Sequence, residues 1–267
     1  MKTALLTAAF LSSLASSVVA QEPAAPAAIV ATASGADSRV FELRTYTAPA
    51  DKLDALQARF RNHTTALFTK HGMTNVGYWL PAENPDHQLV YLLAYPDPAA
   101  REASWKSFLA DPEWQAVVKE SEANGKLVSK VTSLFLATTP FSPGFSPPTG
   151  NETRVYEMRT YIAMPEFLPA LHARFQNVTL QMFKKHGMTS LGYFSLTPEQ
   201  SGAKQTLVYF LAHKDAQAAA ASWDAFRADP EWIAAKQASE TTVGGSLTIV
   251  DGVKSTFLVP TDFSPIR

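Results

Sequence analysis

The chain of 267 residues contains no cysteine, which excludes disulfides, thiolate metal ligands, a cysteine nucleophile and a lipid-modified cysteine. Stability must come from packing alone. Net charge is also nearly absent: 23 Lys and Arg against 24 Asp and Glu leave a formal charge of −1, too weak a field to collect nucleic acid or anionic lipid. Past the first twenty residues no stretch approaches the roughly 20 apolar residues that a membrane span requires. There is no glycine-rich phosphate loop, no His-Glu-x-x-His metal motif and no Gly-x-Ser-x-Gly elbow. Nucleotide and hydrolase readings fall with them, and neither a metal nor a cofactor is expected.

Residues 1–20 carry the pattern of a secretory signal: Lys2, the apolar stretch Ala4 to Leu14, and Val18-Val19-Ala20 ahead of Gln21. Ser12, Ser13, Ser16 and Ser17 interrupt the apolar run and leave it too short for an anchor. The expected product is therefore exported, periplasmic or secreted, with its mature start at Gln21. Residues 21–38 are dominated by Ala and Pro and read as a disordered leader, because they hold too little apolar surface to repay ordering.

Then the chain repeats itself. Arg39-Val40-Phe41-Glu42-Leu43-Arg44-Thr45-Tyr46 returns as Arg154-Val155-Tyr156-Glu157-Met158-Arg159-Thr160-Tyr161; Arg59-Phe60 as Arg174-Phe175; His71-Gly72-Met73-Thr74 as His186-Gly187-Met188-Thr189; Gly77-Tyr78 as Gly192-Tyr193. After an insertion near Glu199 to Gly202 the correspondence continues, with Trp105 and Phe108 matching Trp223 and Phe226, and Asp111-Pro112-Glu113-Trp114 matching Asp229-Pro230-Glu231-Trp232. Phe141-Ser142-Pro143 recurs as Phe263-Ser264-Pro265. A repeat this long is a whole small domain rather than a solenoid unit. The expected boundaries are 39–137 and 153–260, joined by a linker at 138–152.

Within each copy, Val40 to Tyr46 alternates at period two, and Asp51 to Lys70 carries Leu53, Leu56, Phe60, Leu67 and Phe68 at helical spacing up to Gly72. Two strands follow, 74–80 and 88–95, then two short helices opened by Asp97-Pro98 and Asp111-Pro112, then a last strand over 126–137. The fold class is α+β: two ferredoxin-like β-α-β-β-α-β repeats, whose open sheet faces pack on each other within one chain.

Alternation on the first strand puts Glu42, Arg44 and Tyr46 on one side and Phe41, Leu43 and Thr45 on the other. The apolar side is expected to meet the helices. Glu42, Arg44 and Tyr46, with Glu157, Arg159 and Tyr161, would then face the space between the sheets, as a polar pocket for a small molecule or as a structural Glu-Arg pair. His71 and His186 are the only histidines in equivalent places. They serve as ligand or proton shuttle, or cap the last carbonyls of their helix. Trp105, Phe108 and Trp114 and their counterparts read as packing.

The Val40 to Tyr46 strand, His71-Gly72-Met73 and the Trp105-x-x-Phe108 to Asp111-Pro112-Glu113-Trp114 stretch, present in both halves, resemble the NIPSNAP family. The resemblance implies a dimeric α+β barrel, here supplied by one chain, and carries no established chemistry from which residue roles could be transferred. Related barrels include cofactor-free monooxygenases, haem-degrading enzymes and isomerases, so fold analogy permits an enzyme without specifying one. Two functions are expected to compete: an exported binder of a small organic molecule between the sheets, with or without turnover, and a protein-interaction module using the barrel as scaffold. Haem held by His71 or His186 is a third reading, and a further homodimer is left open. The first expectation is directly measurable: the intact mass of the product recovered from the exported fraction should correspond to a chain beginning at Gln21, and a full-length mass there would refute it.

Overall fold

The computed structural model describes residues 37–145 and 153–267. The expected signal peptide, nearly all of the leader, and the second half of the linker lie outside them. The first half runs β1 (Val40–Thr47), α1 (Leu53–Arg59), α2 (Thr65–Lys70), β2 (Thr74–Pro81), β3 (Gln88–Tyr95), α3 (Pro98–Ala110), α4 (Pro112–Ser121) and β4 (Lys130–Thr138). The second runs β5 (Val155–Ala163), α5 (Leu168–Arg174), α6 (Leu180–Lys185), β6 (Thr189–Leu196), β7 (Thr206–His213), α7 (Ala216–Ala228), α8 (Pro230–Val243) and β8 (Thr248–Pro260).

The capping chemistry read from the sequence is in place. Asp97 accepts from the Ala100 N–H at 2.7 Å and Asp111 from the Glu113 N–H at 2.8 Å, each ahead of a proline in the first turn. The helix expected over 51–70 is not continuous. A π-helical turn, Phe60–Thr64, separates α1 from α2, and Phe175–Thr179 does the same between α5 and α6. Such a turn frees carbonyls from the regular ladder, and threonine hydroxyls take them up: Thr64 on the Arg59 carbonyl, Thr179 on that of Arg174.

The eight strands close into one antiparallel barrel in the order β1-β3-β2-β8-β5-β7-β6-β4. Each half contributes a ferredoxin-like sheet, and short pairings, β2 with β8 and β4 with β6, join them. Two arms reinforce the seams. After β4 the Phe141 ring packs on Tyr193 and Phe175 of the second half, and Ser142 accepts the Tyr193 N–H at 3.1 Å. After β8 Phe263 and Ser264 make the same contacts with Tyr78 and Phe60 of the first, the Tyr78 N–H lying 3.0 Å from the Ser264 hydroxyl. The Phe-Ser-Pro repeat is thus a clasp, and residues 139–145, expected to be linker, are part of the packed fold.

The direction of β1 corrects a second expectation. Phe41 and Leu43 point into the barrel, where they join Trp79, Leu92, Phe194, Phe210 and Leu258 in one buried apolar cluster shared by both halves. Glu42, Arg44 and Tyr46 point outward under the helices, as do Glu157, Arg159 and Tyr161. The physical reason is that the lumen of an eight-stranded barrel is just wide enough for side chains to fill, and a charge there would find no partner. The helix layer offers several donors. The space between the sheets is accordingly occupied by aromatic and aliphatic side chains rather than shaped as a polar pocket.

Gly77 shows how tight that filling is. A Cβ at this position would sit 2.4 Å from the Trp79 ring, and at Gly192 the equivalent contact with Phe194 is 3.0 Å. Gly77→Ala should therefore destabilise the fold by about 1–3 kcal/mol through overpacking, whereas Gly245→Ala, with open space around it, should leave the unfolding midpoint nearly unchanged. Chemical denaturation of the two variants side by side checks this.

Candidate functional site

Each half is organised around one buried carboxylate. Glu42, fully buried, receives the Arg44 guanidinium at 2.5 Å, the Arg101 guanidinium on both oxygens at 3.1 Å, the Tyr95 hydroxyl at 3.1 Å and the Trp105 indole N–H at 2.9 Å. Burial on its own would raise the carboxyl pKa, but the hydrogen bonds from Arg101 and the charge of Arg44 outweigh it and hold Glu42 below the ordinary range. Arg44 also spans the Tyr91 hydroxyl at 2.9 Å and stacks over the Trp105 ring at 4.4 Å.

Glu157 repeats the plan with different partners. Arg159 at 2.6 Å and the Trp223 indole at 2.7 Å are retained, while His213 Nε2 at 3.0 Å stands in place of Tyr95, and Ser255 donates at 2.6 Å. Ala219 occupies the position of Arg101. Burial opposes ionisation here too, yet His213, Arg159, Ser255 and Trp223 together bring the Glu157 pKa down to about 2.

The two histidines singled out by the repeat are elsewhere. His71 Nε2 meets Asp111 Oδ2 at 2.7 Å and its Nδ1 the Ser107 hydroxyl at 2.9 Å, while His186 Nε2 meets Asp229 at 2.8 Å. Their side chains tie the end of one helix to the cap of another instead of closing their own helix's carbonyls, and neither is a partner of the Glu-Arg-Tyr clusters. The charge and hydrogen bonds of Lys185, together with His186, keep Asp229 at about 2.

The second half carries a cleft between β5 and the helices α5, α7 and α8. It has a volume near 250 Å³, is walled by Tyr161, Trp223, Phe226 and Trp232, and carries Arg159 and Arg174. It shares Arg227, Trp232, Lys236, Glu240 and Ser246 with a wider surface depression of about 720 Å³. Arg174 lies at the π-helical turn and is 8% exposed, with neither Nε nor Nη1 hydrogen-bonded; Glu240 is 3.7 Å away. Burial lowers its pKa from the usual arginine value. In the first half the equivalent Arg59 is instead closed onto Glu122 at 2.9 Å. Arg159 Nε is likewise unpartnered, because Tyr209, the equivalent of Tyr91, turns its hydroxyl to Tyr161 at 3.2 Å. Arg227 and Lys236 replace Leu109 and Val118. The cleft is thus aromatic and lined by three arginines and a lysine, with Glu240 as the one carboxylate in its wall.

Residue-by-residue reading of the sequence missed Arg174, Arg101, His213 and Ser255. The Arg59-Phe60 and Arg174-Phe175 match was visible, but only the tertiary structure shows that Arg59 is hydrogen-bonded to Glu122 at 2.9 Å while Arg174 stands 3.7 Å from Glu240. His213 was set aside for having no histidine counterpart, although it fills the place of Tyr95. The tryptophans do pack as expected and also donate to the carboxylates.

The barrel with two helix-covered ferredoxin-like sheets defines a dimeric α+β barrel protein. The same architecture recurs in a proposed monooxygenase of Fusobacterium nucleatum, 12% identical, TM-score 0.55, covering 84% of this chain and 92% of that one, and in an anthrone oxidase-like protein, 11% identical, TM-score 0.53, covering 84% and 92%. These likenesses concern the fold. The NIPSNAP family model matches residues 41–143 and 156–265, and the chain belongs to the NIPSNAP family. It is 25% identical over 233 residues to NipSnap homolog 3B of Mus musculus, covering 85% of each.

The depressed pKa of Glu157 has a consequence for acid stability. A carboxyl with a folded pKa of about 2 and an unfolded value of about 4.3 stabilises the fold at neutral pH and loses that contribution as pH falls from about 4.3 to 2, on the order of 3 kcal/mol in all. Glu157→Gln should lower stability at pH 7 and flatten the decline between pH 5 and 2, as read by thermal unfolding across that range. An unchanged acid profile would contradict the assignment.

Proposed function

We propose that this protein is an exported binder of a small aromatic molecule carrying a carboxylate or similar anionic group, held in the cleft between β5 and α8 of its second half. The observation that carries the reading is Arg174 in the wall of an aromatic cleft, its Nε and Nη1 without hydrogen bonds and its ion pair to Glu240 stretched to 3.7 Å. A buried guanidinium with unused donors is costly, and a carboxylate entering the cleft would offer it an acceptor closer than Glu240 through a charge-assisted hydrogen bond. Trp223, Trp232 and Tyr161 supply flat apolar walls for a ring. Lys236, at the mouth shared with the outer depression, favours approach of an anion, while Arg227 beside it is paired with Asp224 at 2.5 Å.

The barrel lumen, where the polar face was first expected, takes no part in this reading. The helix-to-sheet cleft keeps Arg159 and Tyr161 as site residues and adds Arg174. Export is the setting proposed for the activity, in line with the signal-like start of the chain.

Native mass spectrometry of the protein purified from the exported fraction, then titrated with 4-hydroxybenzoate and related aromatic carboxylates, tests the proposal. The wild-type chain should take up one molecule, and Arg174→Ala should weaken uptake by about tenfold or more, the scale of a charge-assisted hydrogen bond, without losing the fold. Equal uptake by both proteins, or none by the wild type, would overturn it.

A further inference from the structure

The two halves differ at one side chain, and the half that lacks it carries a second cleft beside the equivalent ring. In the first half Arg101 places its guanidinium over the Phe135 ring, 4.7 Å from the centroid, while donating to both oxygens of Glu42. Glu42 and Phe135 are cross-strand partners on β1 and β4, and Glu157 and Phe257 are partners in the same way on β5 and β8. In the second half the arginine is missing: Ala219 stands in its place.

The neighbouring loops widen the contrast. The longer loop between β6 and β7 brings Gln200 onto the backbone of Phe135, accepting from its N–H at 3.0 Å and donating to its carbonyl. The shorter loop between β2 and β3 reaches Phe257 through one backbone hydrogen bond, from the Ala82 N–H at 2.8 Å. Beside Phe257 there remains an opening of about 560 Å³, lined by Ala82, Glu83, Val155, Ala216, Ser255 and Phe257 among others. Ser255, which lines it, donates to Glu157 at 2.6 Å. His213, the other new partner of Glu157, is buried and has an Nδ1 without a hydrogen bond.

We propose that this opening is a second ligand site, for a guanidinium or primary ammonium group that stacks on Phe257 as Arg101 stacks on Phe135. The first half displays the bound form of the interaction within its own chain. The ring face offers cation–π attraction, and Glu83 adds a negative charge at the wall. The positive end of α7, which begins at Ala216, is offset by its own cap, Asp215, accepting from the Ala218 N–H at 2.7 Å. Glu157 links this site to the anionic one, since it holds Ser255 on one side and Arg159 on the other. The residues that define the two sites are different, so either reading stands without the other.

Isothermal titration calorimetry with phenylguanidine decides the matter, using the full exported chain. The wild type should bind one equivalent saturably in the millimolar range or tighter. Ala219→Arg, which rebuilds the first half's arrangement, should abolish binding, and Phe257→Leu should weaken it about three- to tenfold, the range expected for a lost cation–π contact. Circular dichroism confirms that each variant is folded; if Ala219→Arg is not, Phe257→Leu decides alone. No saturable binding to the wild type, or full binding by every folded variant, overturns the proposal.

Discussion

A carboxylate with almost no exposure to water, repeated once in each half, is the constraint on which the outer layer of this protein depends. Glu42 and Glu157 are 0% and 1% exposed, and a buried charge persists only where donors surround it. Meeting that demand draws the first strand of each half, the third strand and the tryptophan of the long helix to a single point. The Arg44 and Arg159 side chains, stacked on Trp105 and Trp223 at 4.4 and 4.2 Å, are fixed by the same need. The helix layer is therefore polar at its centre, although most of its contacts are aromatic.

Duplication let the two halves answer that demand differently. The first uses Tyr95 and Arg101; the second uses His213 and Ser255. The barrel interior had less freedom of charge, because both halves fill it together with apolar and aromatic side chains and the Phe-Ser-Pro arms clasp each half to the other. Inside, changes stayed among apolar and aromatic side chains, as at Trp79 and Phe194 or Leu92 and Phe210; outside, the ion pairs changed, Arg59 holding Glu122 at 2.9 Å and Arg174 lying 3.7 Å from Glu240 beside a cleft. A fold shared with oxidase-like and monooxygenase-like proteins does not choose among functions; these side chains do.

Much of the architecture was legible in the sequence. The repeat gave the number of units, the Asp-Pro pairs marked two helix starts, and the alternation on β1 correctly grouped Glu42 with Arg44 and Tyr46. Alternation says which residues share a face, however, and is silent on which face meets which layer. Assigning the apolar side to the helices was the natural choice and the wrong one. The π-helical turns also escaped, since one extra residue in a helical turn scarcely disturbs an apolar pattern, and the histidines were placed at helix ends without sight of Asp111 and Asp229, some forty residues further along.

The sequence by itself determined that two similar α+β units would form, and where their strands and helices would fall, because local periodicity and capping chemistry act within a few residues. Only the tertiary structure decided that the polar strand face turns outward, that Arg59 is hydrogen-bonded to its glutamate while Arg174 stands 3.7 Å from its own, and that an opening lies beside Phe257 in the half without Arg101. Those outcomes depend on which groups from distant parts of the chain meet in a space without water, and there a single missing partner changes what the site can hold.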